Sequence, residues 1–376
     1  MDLIHIDKKI SEIGSRIDFY SQITPVNRIQ EEKRFFDELS RGERYDPVFT
    51  YRRTDVSRER REIELLVGSI SSNDPLSRML KKKALFLLSH MELLEADEDS
   101  LGGCAVSLFG KPDEGCLSES RGILDPPAAD GSEFPEETVA PGEMAEILSV
   151  YIRERGIPWE VRLTDNIVPK LTVSGARGVI YINSRLNYTP HEVERLKVHE
   201  VLVHVYRGLN GKKQPYRIFA EGTAGYNETE EGLAVMAEKI TGVLETDRRQ
   251  MRLYAGRAVC AGLCLEMSFS EAFDALRADF PDGIAYRLVE RAKRGMKHTR
   301  KKGCLTKGFH YISGYRKMRE YVSSGRSPAV LFAGKISIDD SVAVEELLRK
   351  KQLRYPDCPP ELWPGGLCEK RMPDGP

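Results

Sequence analysis

The sequence predicts an α-rich α+β fold, and three observations carry that reading. Apolar residues recur at the helical spacing before residue 125 and again from 190 to about 350. Three short β-favouring runs cluster between 159 and 182, and a Pro- and acid-rich segment over 125–142 divides them from the first helical part. The chain of 376 residues, 40% of them hydrophobic, is long enough to bury a substantial core, which excludes disorder of its bulk. Its 57 Lys and Arg nearly cancel 58 Asp and Glu to leave a net charge of -1, so no global field draws it to nucleic acid or membrane. Any electrostatic partner must meet a local patch.

The N-terminal helical portion, 1–124, shows amphipathic stretches near 4–20, 26–41, 57–69 and 75–96. The irregular piece Tyr45-Asp46-Pro47-Val48-Phe49-Thr50-Tyr51 falls between the second and third. Over 125–142, Asp125, Pro126, Pro127, Glu133, Glu136, Glu137 and Pro141 leave few apolar side chains to bury, which predicts a linker or exposed loop. A helix near 143–155 opens the next portion, 143–350. The runs 159–163, 171–173 and 178–182, separated by Gly and Asn turns, predict a small antiparallel sheet. Helices return from 190, and the Pro-rich stretch 351–376 reads as an irregular tail. No internal repeat falls at solenoid periods.

The opening Met1-Asp2-Leu3-Ile4-His5-Ile6-Asp7-Lys8-Lys9 lacks the apolar run of a signal peptide, and no stretch approaches the roughly 18 apolar residues of a membrane span. A soluble, cytoplasmic protein with no membrane partner is expected. Seven scattered cysteines (104, 116, 260, 264, 304, 358 and 368) without a CxxC pair predict reduced thiols rather than a disulfide frame or a cysteine zinc site. Cys260 and Cys264, four apart in an apolar segment, read as one buried helix face.

The chemistry concentrates after Thr189-Pro190-His191-Glu192, a capping box with Pro at the first helical position. The helix it starts carries His199-Glu200-x-x-x-His204, one residue longer than the HExxH zinc motif. An ideal α-helix sets positions i and i+5 roughly 140° apart, too splayed for one ion. Metal binding therefore predicts a π-type widening between His199 and His204. Three glutamates, Glu228, Glu230 and Glu231, compete as third ligand. Glu231 is the choice because Gly232 and Ala234 keep its face small and let that helix approach the histidines. Glu230 is then expected to orient an imidazole from behind. Val198, Val201, Leu202, Val203 and Val205 frame these polar groups, whose burial would be costly without an ion.

The run His199-Glu200-x-x-x-His204-x-x-Arg207-x-x-Asn210-Gly211-x-x-Gln214-Pro215, followed by Glu230-Glu231-Gly232-Leu233-Ala234, resembles the microtubule-associated tyrosine carboxypeptidase family, whose prokaryotic relatives carry a QEGLA motif. Softer matches fall at Tyr45–Tyr51, Ser107-Leu108-Phe109-Gly110-Lys111-Pro112, Arg291-Ala292-Lys293-Arg294-Gly295, Gly303-Cys304-Leu305-Thr306-Lys307 with Tyr311, and Gly334-Lys335-Ile336. The resemblance covers most of 45–350. Where relatives commonly have a Lys-Asp pair followed by Tyr, this chain has Lys307-Gly308-Phe309-His310-Tyr311, which alters an acidic position of the pocket.

The resemblance implies a zincin-like catalytic unit in which His199, His204 and Glu231 hold Zn²⁺ with one position open, and Glu200 serves as general base. It further implies a carboxypeptidase acting on a peptide or protein C-terminus, plausibly one ending in an aromatic residue. Such an enzyme needs a cation for the terminal carboxylate and a donor for the oxyanion, and Arg207, Arg294, Lys307 and Tyr311 are the candidates. The basic run 291–302 would draw an acidic tail, or contact nucleic-acid phosphates, or stand as a solvated helix end. It has no interleaved aromatics for base stacking, which disfavours nucleic acid. A metal-bearing regulator with a closed site is the other alternative.

Overall fold

The computed structural model describes residues 2–125, 138–167, 169–175, 177–244 and 248–362. The linker expected over 125–142 lies mostly outside the described residues, as does the tail beyond 362. The protein is mostly helical with a small sheet, an α+β architecture. No helix among the described residues is long and apolar enough to cross a membrane.

The chain divides into two compact units, each drawn from two segments: Met1–Ala128 with Met251–Ser313, and Ala129–Gln250 with Gly314–Pro376. This replaces the linear order expected from the sequence, in which 143–350 formed one portion. In the first unit the helices Leu3–Arg16 and Ser57–Ser69 pack on the long helix Pro75–Glu95. The expected stretch 4–20 breaks at Ile17, and a new turn, Phe19–Gln22, starts on the Asp18 side chain. The returning segment belongs here because Phe35 of Arg28–Ser40 packs its ring against Phe273 at 4.8 Å, Tyr286 at 5.1 Å and Phe269 at 5.3 Å. The irregular piece 45–51 lies extended along 297–299, with Phe49 fully buried and its N–H donating to Lys297 O at 2.8 Å. No disulfide joins the six described cysteines; Cys260 and Cys264 are buried with their sulfurs 3.8 Å apart.

The second unit opens with α1 (Pro141–Glu154) and the strands β1 (Glu160–Thr164), β2 (Leu171–Ser174) and β3 (Val179–Asn183). The strand order is β1-β3-β2, with β1 parallel and β2 antiparallel to β3. The sheet is therefore mixed, where an antiparallel one was expected. β3 takes the centre because Val179, Ile180, Ile182 and Asn183 are all buried, whereas Glu160 and Arg162 suit β1 to an edge. Met144, Leu148 and Ile152 of α1, Trp159, and Leu171, Ile180 and Ile182 of the sheet share one core with Leu196, Val201 and Val205. That core fixes the histidine-bearing segment against the sheet.

Candidate functional site

Thr189 starts α2 (Pro190–Leu196): its hydroxyl accepts from Glu192 N at 3.0 Å while Glu192 accepts from Thr189 N at 3.0 Å. The chain continues as a π-helix, Lys197–Val205, and then as α3 (Tyr206–Lys213). The Tyr206 N–H donates to Val201 O, five residues back, which is the bond that defines the wider turn. The widening demanded by the His199–His204 spacing is thus present. The two rings lie 4.8 Å apart between centroids at 85°. One ligating atom each of His199, Glu200 and His204 falls within 4.8 Å of the others. Glu200 Oε2 is 3.9 Å from His204 Nε2.

The second set of carboxylates comes from α4 (Tyr226–Ile240). Glu231 and Glu238 are seven residues apart, almost two turns, so they share a face and take the two edges of one ring. Glu231 Oε2 lies 3.5 Å from His199 Nε2, and Glu238 Oε1 lies 2.8 Å from His199 Nδ1. Glu230, about 100° around the helix, reaches the other histidine: its Oε1 is 2.9 Å from His204 Nδ1. Each supporting carboxylate is itself backed by an arginine of the histidine segment or its flanks. Arg195 donates to Glu238 at 3.0 Å, and Arg207 to Glu230 at 3.2 Å, with Lys335 Nζ a further 3.0 Å from Glu230 Oε1. Glu230 fulfils the orienting role expected of it, while Glu238, Arg195 and Lys335 were not anticipated.

Gly232 serves α4 differently from the expectation. A Cβ there would stand 2.1 Å from the Gly314 carbonyl carbon, so its smallness admits the backbone at Gly314, not the histidine segment. Gly211 similarly admits Phe219, whose carbonyl oxygen would be 2.2 Å from a Cβ.

These charges are almost wholly enclosed. Burial alone would lower the pKa of His199, but Glu238, Glu231 and Glu200 outweigh it and hold it well above the ordinary value. Burial would likewise raise Glu230 and Glu238, yet Lys335 and Arg207 hold the first well below the usual carboxylate range, and Arg195 and His199 lower the second. The field between the histidines therefore favours positive charge. The donors suit a divalent ion: with Nδ1 of each ring facing a carboxylate, Nε2 is left for coordination. The 3.5 Å between His199 Nε2 and Glu231 Oε2 is close to the edge, about 3.4 Å, of a tetrahedron with bonds of roughly 2.1 Å.

Of the expected substrate-binding residues, Arg207 is placed otherwise. It is fully buried, and its guanidinium donates to Leu331 O, Gly334 O, Ile336 O and Glu230, so it ties structure together and holds Glu230. Arg294, Lys307 and Tyr311 belong to the first unit. There Lys307 Nζ donates to the Tyr20 hydroxyl at 2.6 Å, and Tyr311 stacks on Tyr254 at 4.6 Å beneath Arg257. The basic run 291–302 is not one exposed strip. Lys293 is fully buried, donating to Met267 O at 2.7 Å, Lys301 O at 2.6 Å and Gly303 O at 3.0 Å. Lys301 pairs with Asp99 at 2.8 Å, and Lys302 with Glu266 at 3.4 Å.

Residues 33–364 match the family model described as microtubule-associated tyrosine carboxypeptidase. Among curated proteins, the chain is 27% identical over 206 residues to the human microtubule-associated tyrosine carboxypeptidase 1, covering 52% of this chain and 42% of that protein. Its mouse counterpart is 27% identical over 209 residues, with the same coverage of 52% and 42%. The chain thus aligns with less than half the length of these relatives. The family match includes the π-helical histidine segment and all three α4 glutamates that surround it, and on that extent the chain belongs to the microtubule-associated tyrosine carboxypeptidase family.

Proposed function

We propose that this chain is a zinc-dependent metallocarboxypeptidase with a zincin-like catalytic unit, removing a C-terminal residue, tyrosine by the activity its relatives are named for, from a protein or peptide. His199, His204 and Glu231 would hold the ion. A bound zinc would supply the charge that polarises water and the scissile carbonyl. Glu200 accepts a proton from the attacking water and returns it to the leaving amine. Glu238 and Glu230, anchored by Arg195 and Arg207, keep the two rings turned inward throughout. An acidic tail as the carrier of the scissile terminus is part of the same proposal.

The observation that carries this reading is the π-helical turn, which sets two imidazoles five residues apart on one side with a carboxylate from α4 at 3.5 Å. A closed site, with Glu200 as a fourth ligand, is the competing reading, because Glu200 lies in the same tight group as the histidines. Two variants separate them. Glu200→Gln should retain about one zinc per chain yet lose at least about 100-fold in cleavage of a peptide library read at its C-termini by mass spectrometry. Glu231→Gln should lose the metal as well. Zinc lost from the first variant and kept by the second would reverse the assigned roles.

A further inference from the structure

We propose that the first unit carries an oxyanion-binding site formed by Arg257, Arg291, Arg294 and Lys307. These four cations line one cleft of about 330 Å³, part of it open to solvent, and among the described residues no carboxylate lines it. Leu288 and Leu305 give it apolar walls, which strengthen electrostatic attraction inside.

The arrangement is costly without an anion. Arg291 and Arg294 stand one turn apart at the end of the helix Asp282–Lys293, and like charges at that spacing repel. Arg294 is recessed, with its Nε donating to Arg291 O at 3.2 Å. Its pKa is lowered to about 10, first by burial and then by Arg291; Tyr20, Glu290 and Tyr51 offset this only in part. The Glu290 carboxyl is itself pushed up by burial. Two of the cations are oriented by neutral aromatic groups: Lys307 by the Tyr20 hydroxyl and Arg257 by the Tyr311 ring at 4.5 Å.

Paired guanidinium forks match the oxygens of a carboxylate or phosphate, so the ligand is a compact oxyanion, free or borne on an acidic peptide. The test reads binding and not cleavage, so it stands or falls apart from the peptidase reading. The full chain is titrated by calorimetry at low salt with inorganic phosphate and, separately, with a glutamate tripeptide capped at both ends. At least one probe should bind, more weakly as salt rises, and Arg291→Gln or Arg294→Gln should weaken it about tenfold. Phosphate binding alone supports a free anion; peptide binding that phosphate displaces supports an acidic peptide. Where an arginine variant fails to fold, Lys307→Gln at the partly exposed rim takes its place. Failure of the unmodified chain to bind either probe overturns the proposal, as does affinity unchanged in every folded variant.

Discussion

Arg195 and Glu238 never meet a substrate in the proposed reaction, yet they decide how His199 stands. Glu238 is fully buried and shared between Arg195 at 3.0 Å and His199 Nδ1 at 2.8 Å. Removing the arginine leaves a buried carboxylate with one cation fewer, and the ring it orients loses its fixed tautomer and angle. Arg195→Ala is expected to weaken zinc binding about 10- to 100-fold, measured by competition with a chromogenic chelator while circular dichroism checks the fold. Equal affinity in both proteins would confine the pair to a packing role. The histidines and Glu231 were legible because their spacing is chemical. Glu238 was not, since its partner lies 39 residues away on another element, although a carboxylate seven residues after Glu231 is the signal that shares its face. Arg207 misled for the opposite reason: a cation beside a metal motif suggests substrate, and nothing in the sequence reveals the carbonyls at 331, 334 and 336 that enclose it.

At the level of elements, the same distinction holds between local and long-range information. The capping box at Thr189 and the π turn follow from residues within one stretch, and both formed as the sequence requires. The strand order depended on burial that only the assembled core imposes, though the unbroken apolar run Val179-Ile180-Tyr181-Ile182 already marked a central strand. Two predictions belong here. Gly232→Ala places a methyl 2.1 Å from the Gly314 backbone, so α4 must shift; a loss of about 1–3 kcal/mol in urea unfolding is expected, and full stability would show that the helix yields freely. Asp74 caps Pro75–Glu95, accepting from Leu76 N at 3.0 Å and Ser77 N at 3.1 Å. Slight burial opposes its charge, but Ser77, Ser72 and the two backbone bonds prevail and hold its pKa down to about 2 from 3.8. A depressed carboxylate contributes above its unfolded pKa and stops contributing as pH falls through the folded one. Asp74→Ala should therefore cost about 1 kcal/mol at pH 7, and the gap between the two proteins should close as pH drops toward 2.

On the scale of the whole molecule, the chain crosses between its two units, so neither is a continuous stretch. Their composition could not be read from the order of elements, because the aromatic contacts of Phe35 with Phe269, Phe273 and Tyr286 join residues more than two hundred positions apart. An ion bound by the folded second unit and not by the unfolded chain stabilises by about 2.7 kcal/mol at a hundred times its Kd. Exhaustive treatment with a chelator should lower the thermal midpoint seen by calorimetry, and added zinc should restore it; an identical trace under both conditions would count against any resident ion. The extra residue between His199 and His204 also sets the phase of everything after it. Deleting Leu202 would restore the commoner four-residue interval and keep both imidazoles on one side of an ordinary helix. All later side chains would then be rotated by about 100°. Arg207 would swing off the 331–336 carbonyls, and Gln214, which binds Ala333 O and Arg354 O, and Asn210, which binds Asp357 O, would turn with it. A shortened motif of that kind could be tolerated only alongside a compensating insertion further along the same helix.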